Sequence, residues 1–283
     1  MPLPQGVIKF RVESNRVTFE LTSTNTESFE WNFGDGDSVS TEMNPIHVYS
    51  DFGKTYTVNL VLKGPGGQTI LTEDVTIPEM TGMEMLTGGE NCPDGKSWQL
   101  SATAELYEAK PGASMTIVKT FKASSFSESG FSGIVSDRFI FKNNGSFIIH
   151  PSGSTITAGL QYCLSRNIIN SIPAQASPNS GLTCASYNIP AGLTFGYNES
   201  KDYKTDVITD GTTPQEITIP DVPTISFSKG GFLGILDWSR ECVILDLNED
   251  YLKIALFLSD IPATSNLAGY STKVYILTFG PAE

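Results

Sequence analysis

Short segments in which apolar and polar residues alternate, broken by glycine, proline and asparagine turns, recur along this 283-residue chain. A period of two puts one face of an extended segment in a core and the other in water, as a half-buried β-strand requires. Val17-Thr-Phe-Glu-Leu-Thr and Tyr56-Thr-Val-Asn-Leu-Val-Leu both keep that alternation. Gly64-Pro-Gly-Gly joins the second of them to Thr69-Ile-Leu-Thr-Glu-Asp-Val-Thr-Ile and predicts a hairpin. No convincing helix interrupts residues 6–78, which predicts a β-sandwich of about 80 residues. Beyond residue 90 the pattern returns in Lys96-Ser-Trp-Gln-Leu, Asp137-Arg-Phe-Ile-Phe, Cys242-Val-Ile-Leu-Asp-Leu and Lys273-Val-Tyr-Ile-Leu-Thr-Phe, with Asn143-Asn-Gly-Ser as a tight turn. A meander of such strands closes as an up-and-down barrel or a sandwich.

Composition removes several classes of function. No apolar run approaches the roughly 18 residues of a membrane-spanning helix, so no membrane span is expected. The 31 acidic residues outweigh 18 basic ones, for a formal net charge of −13 and no basic patch, so no nucleic-acid partner is expected. Only His47 and His150 are present, which leaves no room for a multi-histidine zinc centre. Cys92, Cys163, Cys184 and Cys242 form no C-x-x-C pair, and their even number allows either two disulfides or four free thiols. The first residues run from Met1-Pro-Leu-Pro into strand pattern without the apolar stretch of a secretory signal. The expectation is a signal trimmed away, or a chain that does not use that route.

The most specific run is Phe29-Glu-Trp-Asn-Phe-Gly-Asp-Gly, followed by Asn44-Pro-Ile-His-Val-Tyr and then Gly53-Lys-Thr-Tyr-Thr-Val. Trp31 and Phe33 fall on alternate positions and face a core, while Gly34 and Gly36 suit a turn that needs positive φ. His47 and Tyr49 read as packing and hydrogen-bonding residues at the core edge. This order of motifs closely resembles the PKD domain, an immunoglobulin-like module of extracellular and surface proteins, over residues 6–78. The resemblance implies a spacer or contact surface rather than an enzyme. Asp35 and Asp37 are weak calcium candidates, since a calcium site takes six to eight oxygens; turn chemistry is the favoured account of them, and no metal or other cofactor is expected.

Residues 80–90 read as a linker, with Leu86-Thr-Gly-Gly at its end. Leu86-Thr-Gly-Gly, Lys96-Ser-Trp-Gln-Leu, Asp137-Arg-Phe-Ile-Phe-Lys-Asn-Asn-Gly-Ser-Phe and Ile225-Ser-Phe-Ser-Lys-Gly-Gly-Phe-Leu-Gly together resemble the lipocalin-like domain that follows PKD modules in surface proteins of Bacteroidota. That resemblance implies a non-catalytic barrel. The architecture expected is all-β: an immunoglobulin-like sandwich over 1–79, and a lipocalin-like barrel or sandwich over 91–283 with a long insertion at about 151–223. Residues 143–198 carry a single charged side chain, Arg166, where a free surface holds roughly 25–35% charge. Two readings stay open for the insertion: a desolvated face toward a partner, or a self-packed subdomain. On the first, Tyr162, Arg166, Ile168, Ile169, Tyr187, Phe195 and Tyr197 are the interface.

A sugar face stacks on aromatic rings, and Trp98, Tyr107, Trp238 and Tyr270 are the residues expected to offer them. Asp237 with Trp238 and Glu241 is the carboxylate cluster a glycosidase would need, though no catalytic residue is assigned. The leading expectation is a non-enzymatic protein on the surface of an assembly: a phage virion component of the capsid-decoration, auxiliary-capsid or fibre type. Its partners are then capsid or tail proteins, or further copies of itself, with a host glycan as an additional ligand. The alternative is a secreted or cell-surface glycan-binding protein of a Bacteroidota bacterium, and a glycoside hydrolase is a minor third.

Overall fold

The computed structural model describes residues 1–282 apart from 38, 91, 129–130, 169–180 and 263. It divides into two compact units, Met1–Thr81 and Gly82–Glu283.

The first unit is a sandwich of two three-stranded antiparallel sheets. Strands β1 (Gln5–Glu13), β2 (Arg16–Thr24), β3 (Ser28–Asn32), β4 (Ile46–Val48), β5 (Thr55–Gly64) and β6 (Gly67–Thr76) pair as β1-β2-β4 and β3-β5-β6. Alternation sends Val17, Phe19 and Leu21 from one sheet, and Trp31, Val58, Leu60 and Leu62 from the other, into one core. Trp31 is fully buried and its Nε1–H donates to Glu42 O at 2.9 Å. Tyr49 Oη donates to Phe33 O at 3.1 Å. Both buried polar tips are thereby satisfied.

The second unit contains α1 (Gly82–Thr87), β7 (Lys96–Leu100), β8 (Glu105–Ala109), β9 (Ile117–Lys122), α2 (Ser124–Glu128), β10 (Arg138–Phe141), β11 (Phe147–His150), β12 (Ile156–Gly159), α3 (Leu160–Arg166), β13 (Leu182–Ala185), β14 (Phe195–Ile208), β15 (Pro214–Phe227), β16 (Glu241–Leu247), β17 (Leu252–Leu258) and β18 (Lys273–Pro281). Its main sheet has ten strands, with the path β11-β10-β7-β18-β17-β16-β15-β14 and β8 and β9 branching from β18. The two ends of that path meet. Phe147 N–H donates to Leu193 O at 2.9 Å, Phe195 N–H donates to Gly145 O at 3.0 Å, and Ser146 bridges Thr194. Strands β12 and β13 form a separate pair, tied to the 233–237 segment through an Ala158–Leu236 bridge. Strands β16 to β18 contribute alternate residues to two clusters. Ile244, Ile254, Leu256 and Leu277 enter the larger, and Val243, Ala255, Phe257 and Ile276 the smaller.

Two expectations about this half are corrected. The expected insertion at 151–223 does not run through to residue 223 outside the sheet: from Phe195 it is β14 and β15, 14-residue strands of the main sheet, and β15 crosses residue 223 unbroken. Their pairing register shifts between Asn198 and Tyr203, which hides the alternation in the sequence. Residues 80–90 are not a plain linker either. Helix α1 lies in them, Leu86 is buried, and Trp98 Nε1–H donates to Leu86 O at 2.8 Å.

The Gly34 turn generates a test. Gly34 has φ +84°, and a Cβ there would lie 2.5 Å from Thr57 O, whereas Gly36 has φ +91° with open space around it. Gly34→Ala should therefore destabilise the first unit by about 2–3 kcal/mol and Gly36→Ala by about 1 kcal/mol, compared in denaturant titrations. Equal losses would show that contact with Thr57 contributes nothing.

Candidate functional site

Strands β11, β10 and β7 lie side by side in the main sheet. Their register sets Arg138 opposite His150 on one side and Gln99 on the other, and sets Ile140 opposite Ile148 and Ser97. Because strand side chains alternate, Phe139, Phe141, Ile149 and Trp98 enter the core. The rows between them face out and, with Ser136, Pro151 and Ser152, line a cleft of about 650 Å³. Arg138 and His150 are exposed there, while the Ser97 hydroxyl is buried without a hydrogen-bond partner. Gln99 Nε2–H donates to Val135 O at 2.6 Å, which fixes its amide. Asp137 turns inward and its Oδ1 accepts the Ser152 N–H at 2.8 Å, anchoring one lip of the cleft. Burial pushes the Asp137 carboxyl above its ordinary value, against the pull of its bonds to Ser152.

A second, more apolar groove of about 450 Å³ lies beside the seam, between residues 147–151 and 187–193. Tyr187 borders it and is held by donating its hydroxyl to Gly230 O at 3.1 Å. Pro151 lines both spaces, so they adjoin at the end of β11. Neither is lined by an Asp or Glu among the described residues.

The residues singled out from sequence are scattered relative to these spaces. Trp98 is fully buried, so it is no sugar contact; it fills the core directly behind the cleft. Tyr107 is half-buried against the smaller cluster, with Lys253 Nζ 5.2 Å from its ring centroid. Trp238 is half-buried, packed edge-on against Tyr162 at 5.4 Å, with Gly269 beneath its ring. Tyr270 is half-buried in a turn whose backbone bonds to Leu267. None of the four lines either space. Of the interface set, Tyr162 and Phe195 are core residues, corrected by their burial. Ile168, Tyr187 and Tyr197 pack partly against the same core, Arg166 is exposed over the Tyr162 ring, and Ile169 lies outside the described residues. The signal that finds the cleft is alternation itself: the polar residues flanking Trp98 and Phe139 point outward.

The carboxylates proposed for hydrolysis are committed elsewhere. Asp237 is buried and accepts the N–H groups of Trp238 at 2.8 Å and Ser259 at 3.0 Å. Desolvation outweighs those bonds and pushes its carboxyl up to about 7. Glu241 accepts from Lys201 Nζ at 2.8 Å and from Thr224 Oγ1 at 2.8 Å. All four cysteines are free thiols, and burial pushes Cys163 and Cys242 up to about 12, where little thiolate forms at neutral pH.

In the first unit, Asp35, Asp37 and His47 bring their ligating atoms within 4.8 Å of one another. His47 Nε2–H donates to Asp35 Oδ2 at 2.5 Å, and Asp35 Oδ1 accepts the Asp37 N–H at 3.2 Å. The His47 ring stacks on Phe33 at 3.9 Å and meets Tyr49 edge-on at 4.6 Å. Both Asp35 oxygens are thus occupied in a structural pair, far short of a six-oxygen calcium shell.

This aromatic-lined sandwich belongs to the immunoglobulin-like class. Residues 10–77 match the family model of the PKD domain, and the N-terminal unit is a PKD domain. Among solved structures the chain is similar to the PKD1 domain of Vibrio anguillarum Epp, with 25% identity over 28% of this chain and 98% of that one, and a TM-score of 0.26. It is also similar to the PKD1 domain of the Vibrio cholerae metalloprotease PrtV, with 26% identity over 27% of this chain and 99% of that one, and a TM-score of 0.25. No curated protein matches the chain. PKD domains are typically surface-exposed, extracellular adhesion or binding modules. Among the described residues no helix is long and apolar enough to cross a membrane.

Two acids generate opposite pH responses. Burial works against the Asp35 anion, but the bonds from His47 and the Asp37 N–H, with the charge of His47, outweigh it and hold the carboxyl below its usual 3.8. Its stabilisation is therefore present above about pH 4 and lost as pH falls through the lower folded value. Asp35→Asn should blunt the acid-induced loss of stability of the first unit in denaturant titrations; an unchanged acid limb would remove the pair from that role. Asp237, at about 7 when folded, keeps its proton where the unfolded chain has released it. Stability of the second unit should accordingly decline between about pH 4 and 7, and Asp237→Asn should flatten that slope. An identical slope in the variant would contradict the burial argument.

Proposed function

We propose that this chain is a non-enzymatic binding protein displayed at a surface, with the PKD unit as support and the second unit as the ligand carrier, and that its ligand is a glycan. One observation carries the reading: the two adjoining spaces at the end of β11 hold a cation, hydroxyls, an amide and apolar walls, but no carboxylate among the described residues. Glycoside hydrolysis needs two carboxylates flanking the scissile bond, whereas recognition needs hydrogen-bonding groups and apolar contact. The commitment of Asp237 and Glu241 to structural bonds supports the same side.

The virion setting drew part of its support from the near-absence of charge over residues 143–198. Self-packing accounts for much of that composition, since Tyr162, Leu182, Leu193 and Phe195 are core residues and 187–193 wall the apolar groove. The setting we favour is accordingly an extracellular or cell-surface one, in keeping with the PKD domain. A glycan array probed with the full chain should give saccharide signals that Tyr187→Ala weakens by about tenfold, with no release of reducing sugar on incubation. A blank array together with abundant peptides of this chain in purified phage particles would return the virion reading to first place. Sugar release would make it a hydrolase.

A further inference from the structure

We propose that the outward row of Gln99, Arg138 and His150 binds an oxyanion carried by a sugar, a carboxylate or a sulfate ester, with Arg138 as its principal contact; this rests on the saccharide reading above. In a chain of net charge −13, Arg138 lies in a cleft that no acid lines among the described residues, and the carboxyl of its neighbour Asp137 turns inward to the Ser152 N–H. Elsewhere in the same unit several cations are engaged. Lys201 pairs with Glu241, Lys204 with Glu216 and Lys273 with Asp260, while Arg166 and Arg240 lie over the Tyr162 ring. Arg138 makes no ion pair or hydrogen bond among the described residues, and no acid lines its cleft.

Position strengthens the assignment. His150 and Gln99 are the direct cross-strand neighbours of Arg138, so their Cβ atoms sit about 5 Å to either side of it. A guanidinium presents two parallel N–H groups to the two oxygens of a carboxylate or sulfate, and charge-assisted bonds of this kind are the strong ones. The imidazole on one side can supply a further N–H donor, and the Gln99 amide, which gives one N–H to Val135 O, keeps a second. One row along the strands, Ile140 offers an apolar floor to the C–H face of a sugar ring, and its cross-strand partner Ile148 lines the adjoining groove.

The test is a titration of the isotopically labelled full chain with glucose, glucuronate and glucose 6-sulfate, followed through the Arg138 Nε–H and Gln99 side-chain resonances. Acetate and inorganic sulfate serve as anions without a sugar. Glucuronate or the sulfate ester should bind at least about tenfold more tightly than glucose, and the stronger of the two identifies the oxyanion. Arg138→Ala should abolish that difference with an unchanged circular dichroism spectrum, since the side chain is exposed; Arg138→Lys should recover part of it. Equal shifts with glucose and glucuronate would overturn the anion inference while leaving a saccharide site. Equal binding of acetate and glucuronate would overturn the saccharide reading while leaving an anion site. No shift at these residues with any probe would overturn the inference outright, and the array then judges the saccharide reading separately.

Discussion

The second unit depends on strands that are buried on both faces. Residues of β16, β17 and β18 feed two separate clusters, so Cys242-Val-Ile, Ile254 to Leu258 and Val274 to Leu277 read as nearly unbroken apolar runs. A strand of this kind cannot sit at the rim of a sheet, and it forces other segments to cover it. The long hairpin of β14 and β15 contributes Tyr203, Val207 and Ile219 to the smaller cluster, while α1, β12, α3 and the 232–236 segment contribute to the larger. What remains for water is the outer face at the other end, where β7, β10 and β11 alternate cleanly between core and surface. The cleft lies there, on a wet side with room for polar side chains.

Much of this could be read from residues alone, and the reasons for the exceptions are physical. The PKD unit was legible because its turn has to be built from particular residues: Gly34 approaches the Thr57 carbonyl too closely for any side chain. Trp31 and Phe33 announce the core by alternation. The β14–β15 hairpin was not legible, since its bulges break the period of two. Helix α1 was missed because six residues give less than two helical turns of pattern, and what holds it is its packing and the bond from Trp98.

The site shows a different kind of misreading. Large aromatics attract attention as ligand contacts, but burying an aromatic ring stabilises a fold more than almost any other side chain does, and Trp98 lies in the core for that reason. Its small polar neighbours Ser97 and Gln99 carry no signal individually. They gain meaning only once the register places them beside Arg138 on the same face. Likewise Asp237 looks like a catalytic acid by type and by its raised proton affinity, yet its two oxygens serve the backbone of Trp238 and Ser259. A perturbed carboxyl marks burial first and chemistry only when a substrate can reach it.

The contact between Asp35 and His47 joins two segments twelve positions apart, behind the stacked ring of Phe33. Replacing one partner strands the other in a place where water reaches it poorly, so each single change passes through a less stable intermediate. Sequence drift at these two positions is therefore coupled: the pair persists together or is exchanged together for two groups that need no hydrogen bond. The turn and the strand that carry them cannot diverge independently, however freely the exposed residues between them vary.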